Sequence, residues 1–106
     1  MSLSLEKIKS LQKDFDRHHS VGEKGFYVDI NESNIHELEH LIVCLLGELG
    51  EFANILKKIT RGDFSLEDVK SDLDEELVDA FIYLIKISNQ FNVDLEEGYL
   101  NKLEKN

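Results

Sequence analysis

The sequence of 106 residues has a single cysteine, few positive charges and no apolar run long enough to span a membrane. The lone Cys44 cannot form a disulfide within the chain, and it lies in an apolar run, so we expect a buried thiol in a cytoplasmic protein. The N-terminus lacks the apolar region of a signal peptide. A formal net charge of −10 disfavours nucleic acid polymers and anionic membranes as partners, because phosphates would be repelled.

The apolar pattern of the chain predicts helices. A length of 106 residues with 42% apolar content suits one domain over residues 1–106. Apolar residues recur at helical spacing in four segments. These run from about Leu5 to Phe15, Ile35 to Thr60, Leu66 to Asn89, and from Asp94 to the C-terminus. No strand is predicted, although the segment GFYVDI has some strand character. The sequence therefore predicts an all-α fold, a helical bundle of two long and two short helices.

Polar residues at the segment ends predict where the helices start and stop. Serine, aspartate and asparagine side chains accept hydrogen bonds from the first free N–H groups of a helix, and glycine ends a helix in a left-handed conformation. The segment SLED matches a capping box in which aspartate replaces the usual glutamate or glutamine. The predicted N-caps are Ser4, Ser33 or Asn34, Ser65 and Asp94, and the predicted C-terminal stop is Gly62.

Two acid pairs fall on the apolar faces of the two long helices. At about 100° per residue, Glu48 lies in the middle of the apolar stripe of the second helix, and Glu51 lies about 60° away. Glu76 and Asp79 repeat this arrangement on the third helix. Four buried carboxylates would repel one another and lose their hydration, and the stripes contain no lysine or arginine. A divalent cation would compensate, and oxygen ligands suit Mg²⁺ or Mn²⁺. The alternative is that the acids form a solvated edge.

These acid pairs and their surroundings resemble the MazG-like all-α nucleoside triphosphate pyrophosphohydrolases. That family carries E-x-x-E on one helix and E-x-x-D on the next, which stand here as ELGE and ELVD. The turn FNVDLEE and a K-x-x-x-N pair extend the resemblance from about Ile35 to the C-terminus. It implies Mg²⁺-dependent hydrolysis of a nucleoside triphosphate to the monophosphate and pyrophosphate, with nucleotide-pool sanitation as one cellular role.

The resemblance also implies roles for particular residues. Four acids would hold the metal: Glu48, Glu51, Glu76 and Asp79. Glu48 would also act as the general base. The K-x-x-x-N pair would meet the substrate, Lys102 at a phosphate and Asn106 at the sugar or a phosphate.

Further residues are candidates for contact with the nucleotide. Some relatives have a histidine where His36 stands. Others have a tryptophan after the first acid pair that stacks on the base, but this sequence has no tryptophan. Tyr83, or Phe26 or Tyr27, would then supply the stacking, and the alternative is that these are ordinary core aromatics.

Three other functions compete with this interpretation. HELEH, from His36 to His40, fits the zinc hydrolase pattern H-E-x-x-H, with Glu37 as base and Glu51 as a third ligand. Val43 stands where the extended form of that pattern has glycine. A non-catalytic nucleotide- or metal-binding helical module is the second alternative. A di-iron bundle is the third, although neither acid pair has its usual Glu-x-x-His.

The apolar surface predicts association between copies of the chain. After Asp79 the third helix is apolar nearly all round, notably at Phe81, Ile82 and Ile85. One chain of four helices leaves such faces uncovered, so we expect a homodimer or homotetramer.

Overall fold

The computed structural model describes residues 2–105. Within this range the chain is helical apart from its connections, so the predicted all-α class with two long and two short helices is confirmed. None of the described helices is long and apolar enough to cross a membrane. The helices are α1 (Leu5–Arg17), α2 (His36–Thr60), α3 (Leu66–Gln90) and α4 (Leu95–Lys105).

Most of the predicted helix ends are confirmed. The side chains of Ser4, Ser65 and Asp94 each accept a hydrogen bond from the backbone N–H three residues further on, at 3.0, 3.3 and 3.0 Å. Gly62 follows α2 with a φ of +91°, a conformation that glycine adopts at little cost. Local side-chain chemistry therefore determines the start of α1, α3 and α4.

The predicted cap of α2 is wrong. Neither Ser33 nor Asn34 caps this helix, because both belong to a preceding 3-10 helix, Glu32–Asn34. Asn31 caps that turn by accepting from the Ser33 N–H at 2.9 Å, and Asn34 accepts in return from the Asn31 N–H at 2.7 Å. The capping residues thus serve the 3-10 turn, which leads into α2 through Ile35.

A small hairpin between α1 and α2 was not predicted. Strand β1 (Ser20–Val21) pairs antiparallel with β2 (Lys24–Gly25), and Gly22 occupies the turn with a φ of +63°. Two-residue strands are too short to produce an alternating pattern in the sequence. The segment GFYVDI contributes only Gly25 to this hairpin, and the rest of it lies along the end of α3.

The two long helices form the centre of the molecule. They run antiparallel, because Cys44 of α2 lies near Tyr83 of α3 while Glu48, one turn later, lies near Asp79, one turn earlier. Helix α1 packs against the other side of α3, and α4 packs against α1. The buried apolar side chains of the described residues are all on α3: Val69, Leu73, Ala80 and Ile85.

The prediction for the outer surface of α3 is partly wrong. Ile85 is 1% exposed and belongs to the core, and Ile82 is half-buried beside α1, whereas Phe81 is 41% exposed. Most of the exposed apolar residues of the two long helices form one stripe on each helix. Each stripe is centred about 110° from the first acid of its helix, Glu48 or Glu76, in the same rotational sense, which places both stripes on one side of an antiparallel pair. We call this surface the open apolar face: Ile42, Leu46, Leu49 and Leu56 of α2 with Leu77, Phe81 and Leu84 of α3.

Gln90 holds the segment after the hairpin against α3. Its buried side chain accepts from the Val28 N–H at 3.2 Å and donates to the Phe26 carbonyl at 3.3 Å. Gln90→Ala is expected to lower the free energy of unfolding by about 1–3 kcal/mol, because both backbone groups lose their partner. Urea denaturation measures this effect, with the exposed Asn101→Ala on α4 as the control. Equal midpoints for the two variants would contradict the prediction.

Candidate metal centre

Three carboxylates meet between the middle turns of α2 and α3. One carboxylate oxygen from each of Glu48, Glu76 and Asp79 lies within 4.8 Å of the other two, and all three residues are half-buried. Among residues 2–105, no other set of three or more histidine, cysteine, aspartate or glutamate residues is gathered so closely. We call these three residues the acidic cluster. It brings together three of the four acids predicted as metal ligands.

The fourth acid, Glu51, lies at the edge of the acidic cluster. It is exposed, and it follows Glu48 by one turn of α2. The pKa of Glu51 is raised, first by its interaction with the Glu76 side chain and then by the charge of Glu76. Burial and the charge of Asp79 add to this increase, and a hydrogen bond with Glu48 opposes it.

The prediction that the four acid side chains are buried away from water is wrong for a single chain. Glu76 and Asp79 on α3 and Glu48 on α2 are half-buried, whereas Glu51 is exposed. Two antiparallel helices cannot by themselves enclose the groups between them, so the cleft stays open to solvent on one side. The alternative of a solvated edge is correct for Glu51.

The acidic cluster lacks positive charge. The oxygen Glu76 Oε2 is buried and has no hydrogen-bond partner among the described residues. The pKa of Glu76 is raised: the hydrogen bond with Glu51 lowers it, but contact with Glu48, burial, and the charges of Glu48 and Asp79 together outweigh that effect. Several oxygen donors with one unpaired buried oxygen fit a hard divalent cation, so the acidic cluster could bind a metal.

These raised pKa values make the stability of the metal-free protein depend on pH. Above the ordinary glutamate pKa of 4.5, folded Glu51 and Glu76 hold more protons than they hold in the unfolded chain. Their contribution to stability therefore falls as the pH rises from 4.5 through the raised values. We expect Glu51→Gln/Glu76→Gln to be more stable than the wild type in EDTA, by a margin that widens from pH 4.5 towards neutrality. Urea denaturation across this range measures the margin, and a constant margin would contradict the prediction.

A cavity lies beside the acidic cluster. Its volume is about 440 Å³, and it is bounded by the hairpin, the start of α2 and the second half of α3. Cys44 and Tyr83 line its wall, each one helical turn from a carboxylate of the cluster, about 6 Å along the helix. Lys24 of β2 pairs with Glu37 of α2 at 2.9 Å, which ties the hairpin to the opposite wall. The wall of the cavity therefore comes within one helical turn of the acidic cluster on both long helices.

Tyr83 and Cys44 have partly exposed side chains in this region. Burial is the largest cause that raises the pKa of Tyr83. The interaction with Cys44 and the charges of Glu48 and Asp79 raise this pKa further. Cys44 is half-buried and lies 3.7 Å from His40 Nε2, so the expectation of a buried thiol is wrong. The thiol is only half-buried because the cavity opens beside this turn of α2.

Two other predicted substrate contacts, His36 and Lys102, do not line the cavity. The His36 side chain is 72% exposed and lies 3.5 Å from a carboxylate oxygen of Glu37. Lys102 is exposed on α4, whose main packing partner is α1. Asn106 lies outside the described residues. The roles of these three residues stay predictions.

The HELEH segment does not form a zinc site. His40 lines the cavity and contacts Cys44, whereas His36 points to solvent beside Glu37. Within residues 2–105 neither histidine belongs to a group of three metal-type ligands. A catalytic zinc needs three protein ligands, so this geometry disfavours the zinc hydrolase.

Lys86 is a residue of this region that the sequence analysis missed. It lines the cavity and forms an ion pair with Asp16 of α1, Nζ to Oδ1 at 3.3 Å. In the sequence it is a single lysine at the edge of an apolar helix, and no spacing pattern connects it with Asp16, which lies on another helix. Its only signal is a cation in an otherwise apolar run, FIYLIKI.

Two long antiparallel helices that bring three carboxylates together define an all-α protein with an acidic cluster that could bind a metal. The chain is 36% identical over 76 residues to the Gene 37 protein of Mycobacterium phage L5, and the alignment covers 67% of each chain. It is 29% identical over 85 residues to dCTP pyrophosphatase 1 of Homo sapiens and 26% identical over 85 residues to that of Rattus norvegicus. The chain belongs to the MazG-like all-α nucleoside triphosphate pyrophosphohydrolase family.

The extent of these similarities differs between the relatives. The alignments with the two dCTP pyrophosphatases cover 76% of this chain and 50% of those proteins, so the chain spans about half their length. No family model and no solved structure matches the chain.

Proposed function

We propose that this protein hydrolyses a nucleoside triphosphate to the monophosphate and pyrophosphate, with Mg²⁺ or Mn²⁺ held by Glu48, Glu51, Glu76 and Asp79. The observation that carries this proposal is the convergence of three carboxylates within 4.8 Å, with Glu76 Oε2 buried and unpaired. The name of the human and rodent relatives, dCTP pyrophosphatase 1, supports the reaction class.

The residues of the cleft have distinct tasks in this reaction. Glu76 and Asp79 present carboxylates from α3, and Glu48 presents one from α2, so both helices contribute to the metal site. A divalent cation held by these carboxylates would supply positive charge against the phosphate oxygens during hydrolysis between the α- and β-phosphates. Glu48 orients the attacking water and accepts its proton. Glu51 contacts Glu76 from the solvent side and completes the ligand set.

The cavity beside the acidic cluster receives the nucleoside end of the substrate. Its volume of about 440 Å³ lies within the range of small-molecule sites, about 300–1,000 Å³. Tyr83 lies one turn after Asp79, so a base held against its ring keeps the phosphates near the cluster. His36, Lys102 and Asn106 stay proposed contacts of the sugar and phosphates.

A second copy of the chain covers the open apolar face in this proposal. Within residues 2–105 only Val69, Leu73, Ala80 and Ile85 are buried apolar side chains, which is a small core for a domain of this size. The open apolar face runs along both long helices, so the same face of another copy is a suitable partner. The outcome is a homodimer or homotetramer whose central helices form a bundle.

Pyrophosphate release tests the proposed function directly. The wild type is incubated with a panel of ribo- and deoxynucleoside triphosphates in Mg²⁺, in Mn²⁺ and in EDTA. Release with either metal and none in EDTA is the expected result, and Glu48→Ala should match the EDTA sample. Nucleotide binding without release in every condition would instead favour a non-catalytic binding module.

A further inference from the structure

Lys86 is a half-buried cation that is fixed in place by α1. Its side chain is 16% exposed, and its ion-pair partner, Asp16, has a side chain that is 0% exposed. Gln12 Nε2 also donates to Asp16 Oδ1, at 3.0 Å, so the carboxylate is held on its own helix. The ammonium group of Lys86 therefore has a defined position rather than the mobility of a surface lysine.

The ammonium group of Lys86 also lies at the aromatic end of the cavity. Its Nζ atom is 5.1 Å from the ring centroid of Phe26 and 5.6 Å from that of Tyr83. Val28 and Leu41 contribute apolar wall on either side. A planar nucleobase held against this wall would present its edge to the ammonium group of Lys86, a hydrogen-bond donor that its ion pair with Asp16 holds in position.

We propose that Lys86 is a specificity-determining residue, which donates a hydrogen bond to a carbonyl oxygen of the nucleobase in the cavity. The proposal rests on the proposed function, because it assigns the base end of that substrate to the cavity. Its consequence is a preference for bases with a carbonyl group (cytosine, uracil, thymine, guanine or hypoxanthine) over adenine.

The chemistry of the two partners decides this preference. A lysine ammonium has three N–H donors and no acceptor, and the ion pair with Asp16 joins Nζ to a single oxygen, Oδ1, at 3.3 Å, so it engages at most one of the three. A base carbonyl accepts one of the others. Adenine has no carbonyl, and an exocyclic amino group, a donor, stands where hypoxanthine has its oxygen. A fixed donor facing that amino group is left unpaired, which costs more than the loss of a hydrogen bond in water.

The triphosphates dITP and dATP form a matched pair, because they differ only at position 6, which carries an oxygen or an amino group, and at N1, which carries a proton in hypoxanthine but not in adenine. We expect the wild type to favour dITP over dATP by at least about 10-fold in kcat/KM for pyrophosphate release. Lys86→Met should bring this ratio close to one, and Lys86→Arg should keep it above one because arginine retains the donor. Lys70→Met, an exposed lysine of the same helix, should leave the ratio unchanged.

A variant that removes both charges separates specificity from folding. Lys86→Met alone leaves the buried Asp16 carboxylate unpaired and can unfold the chain. Asp16→Asn/Lys86→Met avoids this cost and lacks the donor, so its ratio of dITP to dATP should also be close to one. A folded double variant that keeps the wild-type ratio would show that the ion pair is structural only, and would overturn the proposal.

Equilibrium binding keeps the test independent of turnover. Calorimetry with dITP and dATP in Ca²⁺ measures base selection whether or not pyrophosphate is released. Selective binding without release would contradict the proposed function and support the role of Lys86. Equal affinity of the wild type for both nucleotides would overturn that role, even if both are hydrolysed.

Discussion

Replacing Glu76 with glutamine is expected to lower kcat/KM for pyrophosphate release by at least about 100-fold, and at the same time to raise the stability of the metal-free protein. Activity falls because the acidic cluster loses the carboxylate that contacts both Glu48 and Glu51. Stability in EDTA rises because the same substitution removes one of several like charges that face each other without compensation. The opposite directions of these two effects distinguish a metal-binding cluster from a structural one.

The control for this substitution is Glu75→Gln, which changes the same residue type one position earlier on the exposed side of α3. Activity is measured as pyrophosphate release in Mg²⁺, and stability as the thermal midpoint in EDTA and in Mg²⁺. Mg²⁺ should raise the midpoint of the wild type and of Glu75→Gln but not that of Glu76→Gln. A Glu76→Gln protein that is both inactive and less stable in EDTA would contradict the prediction.

Replacing Leu46 with glutamate is expected to weaken self-association by at least about 100-fold, which corresponds to about 2.7 kcal/mol. Leu46 is 59% exposed in the single chain and lies within the open apolar face. An unpaired carboxylate inside an interface between two such faces costs several kcal/mol. Because the single chain buries few apolar side chains, we also expect a lower thermal midpoint that depends less on protein concentration.

The control for the interface is Asn54→Glu, which adds the same charge to an exposed position of α2 outside the open apolar face. Sedimentation equilibrium over a range of concentrations measures the dissociation constant of each variant. Asn54→Glu should associate like the wild type. If the wild type is a monomer throughout, or if both variants dissociate alike, the second copy does not cover this face.

The features that repeat along a helix could be predicted from the sequence. Glu48 and Glu76 were expected to face each other because each lies among apolar residues at helical spacing, and the structure brings them together with Asp79. The caps at Ser65 and Asp94 were also predictable, since they depend on residues three positions apart. Local spacing determines both features, so no knowledge of the tertiary structure was needed.

The features that depend on contacts between distant segments could not be predicted. Periodicity shows which way Glu51 points but not what covers it, so the sequence leaves both a buried and a solvated position open for this side chain. The pairing of Lys86 with Asp16 joins residues on α3 and α1, and the bridge from Gln90 to the segment after the hairpin joins residues more than 60 positions apart. Burial and long-range polar pairing arise from the arrangement of the helices, which a pattern within one helix does not contain.

Helix α3 is shared among several neighbours, and this limits how the protein can change. One side of it supplies Glu76 to the cleft, another holds Lys86 against α1, its last turn carries Gln90, and Phe81 lies on the open apolar face. A mutation at any of these four positions therefore disturbs a different partner. Helix α4, exposed along most of its length, has much more freedom. Random mutagenesis with selection for function should consequently leave Glu76, Lys86 and Gln90 nearly untouched, while substitutions accumulate at exposed positions of α3 such as Lys70 and Glu75 and at the exposed positions of α4 other than Lys102.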